Sequence, residues 1–389
     1  MAGRSLMIIA GEVSGDMLAA GLVRALKKRD PDLRFFGIGG DALRAEGVEV
    51  VQDNAAMAVM GFTEVIVRIA FFQRVFSRMT ELAAARRPAA VILVDYPGFN
   101  LRFAGRAHAL GLPVIYYVCP QVWAWNRRRV PKMARTVNRL LTIFPFEKEM
   151  LSGSGMAIDF VGHPLTGTAR AQRQAPPLPL PWSGMPRLAL LPGSRKHEID
   201  RLLPVMLRAA ALLEKEQPGL TCLIAAPSET AAAAMRKRLA AWSGPRPSRL
   251  EVVGGQTREL LKQADAAAVA SGTATVETAL MRCPMVVVYR TAFLTYLLAR
   301  LLVKVPFIGM VNLVAGRAVC PELVQNELTP ESLGAALRPL LQPTPQRALM
   351  LEGLDDVIRR LGEPGAEERA AASVLEVLDA PAGGGRPPF

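Results

Sequence analysis

The chain has 389 residues, 51% hydrophobic and 21% charged, which excludes a disordered chain and is too long for one compact unit, so two domains are expected. A formal net charge of +13 implies an anionic partner: nucleic acid, a phosphorylated small molecule or an acidic membrane face. Four cysteines (Cys119, Cys222, Cys283, Cys320) and three histidines (His108, His163, His197) lie far apart with no C-x-x-C pair, which argues against a disulfide framework or a metal site and suits a reducing compartment. The apolar stretch Leu6–Ala10 is shorter than a signal core, and Thr291 to Val311 is cut by Arg300 and Lys304. A cytoplasmic protein, soluble or peripheral to a membrane, is expected.

In chain order, Ser5–Ala10 reads as a strand ending in Gly11-Glu12-Val13-Ser14-Gly15-Asp16, and Met17–Lys28 follows with helical spacing. Strands are predicted at Leu33–Ile38, Ala89–Val94, Pro113–Val118, Leu140–Phe144 and Ile158–Val161, with a helix at Leu101–Leu110. Five prolines between Ala175 and Pro186 predict a linker. Beyond it, strands at Leu188–Leu191, Thr221–Ala225, Leu250–Val253, Ala266–Ala270 and Met285–Tyr289 alternate with helices at Glu198–Glu216, Thr230–Trp242, Arg258–Ala264 and Thr275–Arg282. Alternation of this kind means parallel sheets with right-handed crossovers, so the fold class is α/β with two Rossmann-like domains facing a cleft.

Ligands of such sheets lie beyond the carboxyl ends of the strands. Pro192-Gly193-Ser194-Arg195 joins a strand to a helix and offers a close backbone approach, a hydroxyl, helix-start N–H groups and a permanent charge. Ser271-Gly272-Thr273-Ala274-Thr275 repeats the design, and Glu277 can accept from a ribose. Together the two loops predict a nucleotide diphosphate; singly, either is equally well a capped helix. Asp95 follows a strand and can act as general base, or as a cap for the next helix, a role Asn100 fills better because it precedes Leu101. The loop with Gly11, Glu12, Ser14, Gly15 and Asp16 resembles a phosphate cradle without G-x-G-x-x-G or a Walker lysine, so no NAD or ATP and no other cofactor is expected. Asp30-Pro31-Asp32 reads as a turn rather than a metal motif.

The aromatic run containing Gln121, Trp123 and Trp125 leads into Arg127, Arg128, Arg129, Lys132, Arg135 and Arg139, which suit either an anionic leaflet or a solvated helix with its tryptophans in the core. Val65 to Phe76, apolar nearly all round apart from Arg68 and Arg74, fits a buried helix or one dipping into lipid.

These residues, from Ile8 to Gln325, resemble the lipid-A-disaccharide synthases, inverting glycosyltransferases of lipopolysaccharide assembly. The likeness rests on Ala10 to Asp16, Gly37-Ile38-Gly39-Gly40, Met60-Gly61-Phe62, Asp95 with Phe99-Asn100-Leu101, Pro120-Gln121-Val122-Trp123-Ala124-Trp125, Phe160 to Leu165, Leu191 to Arg195 and Ala270 to Thr275. The resemblance implies a glycosyltransferase-B fold. It implies an N-terminal domain over 1–174 that takes the acceptor and faces the membrane, the linker 175–186 and a UDP-sugar domain over 187–340. Helices in 341–378 would cross back, leaving a tail over 379–389. It implies metal-independent transfer of 2,3-diacylglucosamine from UDP to the 6-hydroxyl of 2,3-diacylglucosamine 1-phosphate, at the cytoplasmic face of the inner membrane. Asp95 would be the base. Arg195, with Gly193, Ser194 and the loop from Ser271 to Thr275, would hold the diphosphate, Glu277 the ribose and Asn312 the uridine. Gly11, Glu12, Ser14, Gly15, Asp16, Asn100, Gln121 and Trp123 would surround the acceptor, while Arg68, Arg74, Arg127, Arg128, Arg129, Lys132 and Arg135 would face the membrane. Asn312 follows Met310-Val311 where the family pattern is Leu-Pro-Asn.

Two other readings stand beside this one. A UDP-sugar epimerase or a transferase to another lipid-linked acceptor keeps the fold, and a nucleic-acid-binding protein would use the charge alone, without any recognised motif for it.

Overall fold

The computed structural model describes residues 4–57, 69–125, 127–292, 296 and 305–380. The chain divides into two compact units, 1–164 with 364–389, and 165–363. The division falls before the helix Leu165–Gln174 rather than after it, because that helix packs on helices Thr257–Gln263 and Thr273–Leu280 of the second unit. The Pro-rich stretch also lies in the second unit, where Glu259 accepts from the Leu178 backbone N–H and Gln263 donates to the Leu178 carbonyl.

Unit 1 holds a seven-stranded sheet of β1 (Ser5–Ala10), β2 (Arg34–Gly39), β3 (Glu49–Asp53), β4 (Ala90–Val94), β5 (Val114–Tyr117), β6 (Arg139–Thr142) and β7 (Ile158–Phe160). All pairings are parallel, in the order β3-β2-β1-β4-β5-β6-β7. The central strands are continuous apolar runs because helices cover both faces: every residue from Leu6 to Ala10 and from Ala90 to Val94 is fully buried. Helix Val13–Arg29 packs against Ala366–Asp379, which returns from the far end of the chain to this unit. Ser373 and Arg139 share the Asp159 carboxylate at 2.6 Å each, and Arg139 also reaches Glu376. Arg139 therefore belongs to this internal contact and not to the exposed basic run.

Unit 2 holds a six-stranded parallel sheet of β8 (Arg187–Leu191), β9 (Thr221–Ala226), β10 (Leu250–Gly254), β11 (Ala266–Ala270), β12 (Met285–Tyr289) and β13 (Glu322–Val324), ordered β10-β9-β8-β11-β12-β13. The sequence reading omits β3 and β13. Both are edge strands, one half-buried with the pattern EVVQD and the other only three residues long, so neither carries an apolar run.

Four further points bear on the sequence reading. Asp30 to Asp32 is a turn: the Asp32 N–H donates to the Asp30 carboxylate, which pairs with Arg4. All four cysteines are free and buried. Among the described residues no helix is long and apolar enough to cross a membrane. The apolar segment beginning at Val65 is described from Ile69, in the helix Ile69–Arg86, and Arg68 lies outside the described residues. This helix is amphipathic where described: Val75 and Met79 are buried, Phe76 packs edge-on against Phe99 and Phe103, and Gln73, Arg74 and Arg78 are exposed.

The helix after β4 runs from Pro97 to Ala109, so Asn100 sits inside its first turn and is not its cap. Its buried side-chain amide instead donates to the carbonyls of Ile9 (3.3 Å), Val94 (3.1 Å) and Asp95 (2.8 Å), joining the ends of β1 and β4. Removing a donor from buried carbonyls costs about 1–3 kcal/mol. We therefore expect Asn100→Ala to destabilise the protein by about 2 kcal/mol and Asn100→Asp by more, because a carboxylate there would face three carbonyl oxygens. Urea midpoints of the two variants check the order.

Candidate active site

In an open parallel sheet the crevice opens where neighbouring strands send their connections to opposite sides. In unit 1 this point lies between β1 and β4, and the residues that follow them are Gly11-Glu12 and Asp95-Tyr96. The chain turns there through two consecutive left-handed residues, Asp95 (φ 47°) and Tyr96 (φ 46°). Non-glycine residues hold that conformation only when their surroundings over-determine it, at a cost of order 1–3 kcal/mol each. The surroundings are visible. The Asp95 N–H donates to the Tyr117 carbonyl at 3.0 Å, and the Asp95 carbonyl accepts from the Tyr116 hydroxyl at 2.6 Å and from Asn100. The Tyr96 hydroxyl donates to the Met57 carbonyl, and its ring lies so close to Gly11 that an added Cβ would meet it at 2.3 Å. Gly11 is thus required by the ring rather than by a phosphate.

The effect is to hold the Asp95 carboxyl in a largely desolvated place. Burial, and then the nearby Glu12 charge, push its pKa up to about 6. The same two causes push the Tyr96 phenol up to about 12, so it stays protonated. Asp95 is therefore a carboxylate near neutral pH with far more proton affinity than a surface aspartate, as a general base needs.

The other acceptor candidates part ways. Asp16 is buried and accepts from the N–H groups of Gly40 (2.7 Å), Ala42 (3.0 Å) and Leu43 (3.4 Å), so its carboxylate caps the turn after β2. Gly15 is buried against Val94 and Ala10, whereas Glu12 and Ser14 are exposed at the start of helix Val13–Arg29. Gln121 is exposed, but Trp123 is buried, edge-on to Phe146 at 4.9 Å, with its indole N–H donating to Glu147 at 3.2 Å. Glu147 is a residue the sequence reading missed. Fully enclosed, it has a pKa pushed up to about 8 by desolvation despite hydrogen bonds from Phe144 and Trp123, with the Asp95 charge adding to the rise. One glutamate within Pro145-Phe146-Glu147-Lys148 carries no signal of burial, which only its packing reveals.

In unit 2 the corresponding point lies between β8 and β11, and the two loops singled out from sequence follow just these neighbouring strands. Gly193 (φ 100°) lets the first loop close on Glu198, whose carboxylate accepts from the N–H groups of Ser194 and Arg195 at 3.2 Å each. This corrects the expectation of free N–H groups at that helix start, since a carboxylate from the first turn of helix Lys196–Glu216 already occupies them. A glutamate three residues beyond Arg195 is the available signal. The Arg195 side chain is 72% exposed, with only a 3.5 Å contact to Glu198, so it is available to an anion.

The second loop is the more open one. Gly272 and Thr273 are exposed, no side chain caps the start of helix Thr273–Leu280, and Ser271 is tied back to the Ile308 carbonyl at 2.8 Å. Ala274 is half-buried; Thr275 is buried and returns its hydroxyl to the Gly272 carbonyl. Glu277 lies one turn on and is paired by Arg258 at 3.1 Å. Asn312 is fully buried and all of its amide groups are engaged: it donates to the Cys320 carbonyl and Glu322, and accepts from the N–H groups of Val319 and Cys320, at 2.8–2.9 Å. It holds a loop together and has no group left for a uridine. Among the described residues, no three His, Cys, Asp or Glu side chains gather as a metal ion would require.

Of the basic run, Arg127, Arg128, Arg129, Lys132 and Arg135 are exposed over a short 3-10 turn and the helix Val130–Thr136. Arg74 is exposed on its own helix.

A family model described as lipid-A-disaccharide synthetase matches residues 6–376. A lipid-A-disaccharide synthase of Myxococcus xanthus is 45% identical over 379 residues, covering 96% of this chain and 97% of its own length. One of Syntrophus aciditrophicus is 40% identical over 382 residues, with 97% and 99% covered. Among solved structures, the glycotransferase of kitacinnamycin superposes with a TM-score of 0.64 at 17% identity, over 96% of this chain and 99% of that one, a likeness of fold. The chain belongs to the lipid-A-disaccharide synthase family of glycosyltransferases.

Proposed function

We propose that the enzyme transfers 2,3-diacylglucosamine from UDP to the 6-hydroxyl of 2,3-diacylglucosamine 1-phosphate, giving the β-1,6 disaccharide 1-phosphate and UDP. The carrying observation is Asp95, a carboxylate of raised proton affinity on a strained turn at the β1/β4 switch point, in a chain of this family. Asp95 takes the hydroxyl proton as the acceptor oxygen forms its bond to the anomeric carbon. The bond from that carbon to the diphosphate breaks, its electron pair leaves with UDP, and attack opposite the leaving group inverts the centre. Arg195 and the open start of helix Thr273–Leu280 neutralise the charge gathering on the diphosphate. Glu277, already paired with Arg258, keeps a carboxylate for the ribose. The exposed bases Arg127, Arg128, Arg129, Lys132 and Arg135, with Arg74, suit an anionic leaflet, so we place the enzyme peripherally at the cytoplasmic face of the inner membrane, where acylated sugars reside.

Three outcomes are expected. Asp95→Asn lowers kcat by roughly 10²–10⁴-fold while UDP binding is retained, as turnover and calorimetry would report; near-normal turnover removes the base. The wild-type kcat/KM rises with pH and levels off above about 6, as Asp95 loses its proton, and Asp95→Asn lacks this limb. Because folding raises the Asp95 pKa from 3.8 to about 6, the native state loses stability as pH rises through that window. Relieved of that loss, Asp95→Asn unfolds at higher denaturant than wild type above pH 6, by about 1–3 kcal/mol, and the gain vanishes below pH 4.

Membrane association has its own check. Reversing Arg128, Lys132 and Arg135 to Glu lowers partition onto anionic vesicles by ~100-fold or more, at about 1 kcal/mol per base near the surface. Partition unchanged from wild type would move the membrane contact elsewhere.

A further inference from the structure

Unit 1 contains an open-sided pocket of about 410 Å³ lined by Trp123, Val130, Met150 and Leu151 together with Arg127 and Ser154. It falls within the roughly 300–1,000 Å³ range of small-molecule pockets, and of the residues expected around the acceptor it takes in Trp123. Three observations bear on its occupant. Its floor is apolar and its rim mixed: Trp123 and Leu151 are almost fully buried and Val130 half-buried, whereas Arg127, Pro131 and Met150 are exposed and Ser154 adds a hydroxyl. The buried apolar floor of Trp123 and Leu151 suits an alkyl chain, and the polar rim suits the group that bears it. Its wall is also held firmly. Trp123 is clamped by the buried Glu147 and by Phe146, while Arg127 donates from Nε to the Trp123 carbonyl at 3.3 Å. Finally, Arg127 with the exposed neighbours Arg128 and Arg129 supplies positive charge beside the mouth, complementary to a phosphate borne by the same molecule.

We propose that this cavity houses one fatty acyl chain of the acylated sugar-phosphate acceptor, with the basic run drawing in its phosphate; this rests on the acceptor reading given above. Chain burial there makes the enzyme sensitive to acyl length. Gly153 lines the cavity, and a Cβ added to it meets nothing within 4 Å, so Gly153→Leu fills the space without backbone strain. Met150→Trp enlarges a second, partly exposed lining side chain.

The test compares transfer to a series of acceptors with acyl chains lengthened two carbons at a time. In wild type the acceptor KM falls roughly fourfold for each methylene taken up, until the cavity is filled. In Gly153→Leu and Met150→Trp the fall stops several methylenes earlier. A wild-type KM indifferent to chain length, or variants as length-dependent as wild type, overturns the proposal. Tryptophan quenching by an acceptor brominated along its chain reads the cavity without turnover. Quenching in wild type that drops at least twofold in Gly153→Leu is expected, and equal quenching in both counts against the cavity. If wild type transfers nothing to any acceptor, the acceptor reading fails, and the quenching result still decides whether the chain binds. Variants that lose anionic-vesicle binding but keep their length dependence assign the cavity to the bilayer and overturn the proposal too.

Discussion

The active end of unit 1 depends on one buried amide. Asn100 binds the carbonyls of Ile9, Val94 and Asp95, and so fastens the end of β1 to the end of β4 where their connections diverge. With the Tyr116 hydroxyl on the Asp95 carbonyl and the Tyr96 hydroxyl on the Met57 carbonyl, that fastening holds Asp95 and Tyr96 in the left-handed region, which side chains avoid. The strained turn in turn sets the carboxyl where burial and Glu12 raise its proton affinity. Strain and desolvation of Asp95 are two consequences of this hydrogen-bonding arrangement, and the fold stabilises it through the fully buried strands on either side.

The second unit solves a different problem with the same topology. A departing diphosphate needs positive potential without a buried charge that would cost desolvation in its absence. The two loops at the β8/β11 switch, on the reading proposed above, would supply it at the surface through an exposed arginine and a helix start without a side-chain cap. Glu198 satisfies the N–H groups of Ser194 and Arg195 meanwhile, which keeps this loop ordered.

Much of the polar chemistry near these loops is structural. Asp16, Asn100 and Asn312 all sit in stretches that draw attention as site candidates, and all three spend their side chains on backbone groups. Sequence position alone does not separate a residue that touches substrate from one that shapes the loop, because both occur beyond strand ends and both are polar. What separates them is burial and the count of donors and acceptors already engaged.

The sequence by itself determined the two parallel sheets, because alternating apolar runs and helical periods are local properties of the chain, and its short motifs determined the family. It also placed Asp95, Arg195 and the Ser271 to Thr275 loop beyond strand ends, where the structure has them. Only the tertiary structure decided that the division between units precedes Leu165, that β3 and β13 complete the sheet edges, and that Arg139 pairs internally. It likewise decided that Glu147 clamps Trp123 and that Asp95 carries a raised pKa. Those features arise from neighbours tens to hundreds of residues apart in the chain, and desolvation and hydrogen-bond saturation exist only once such neighbours have met.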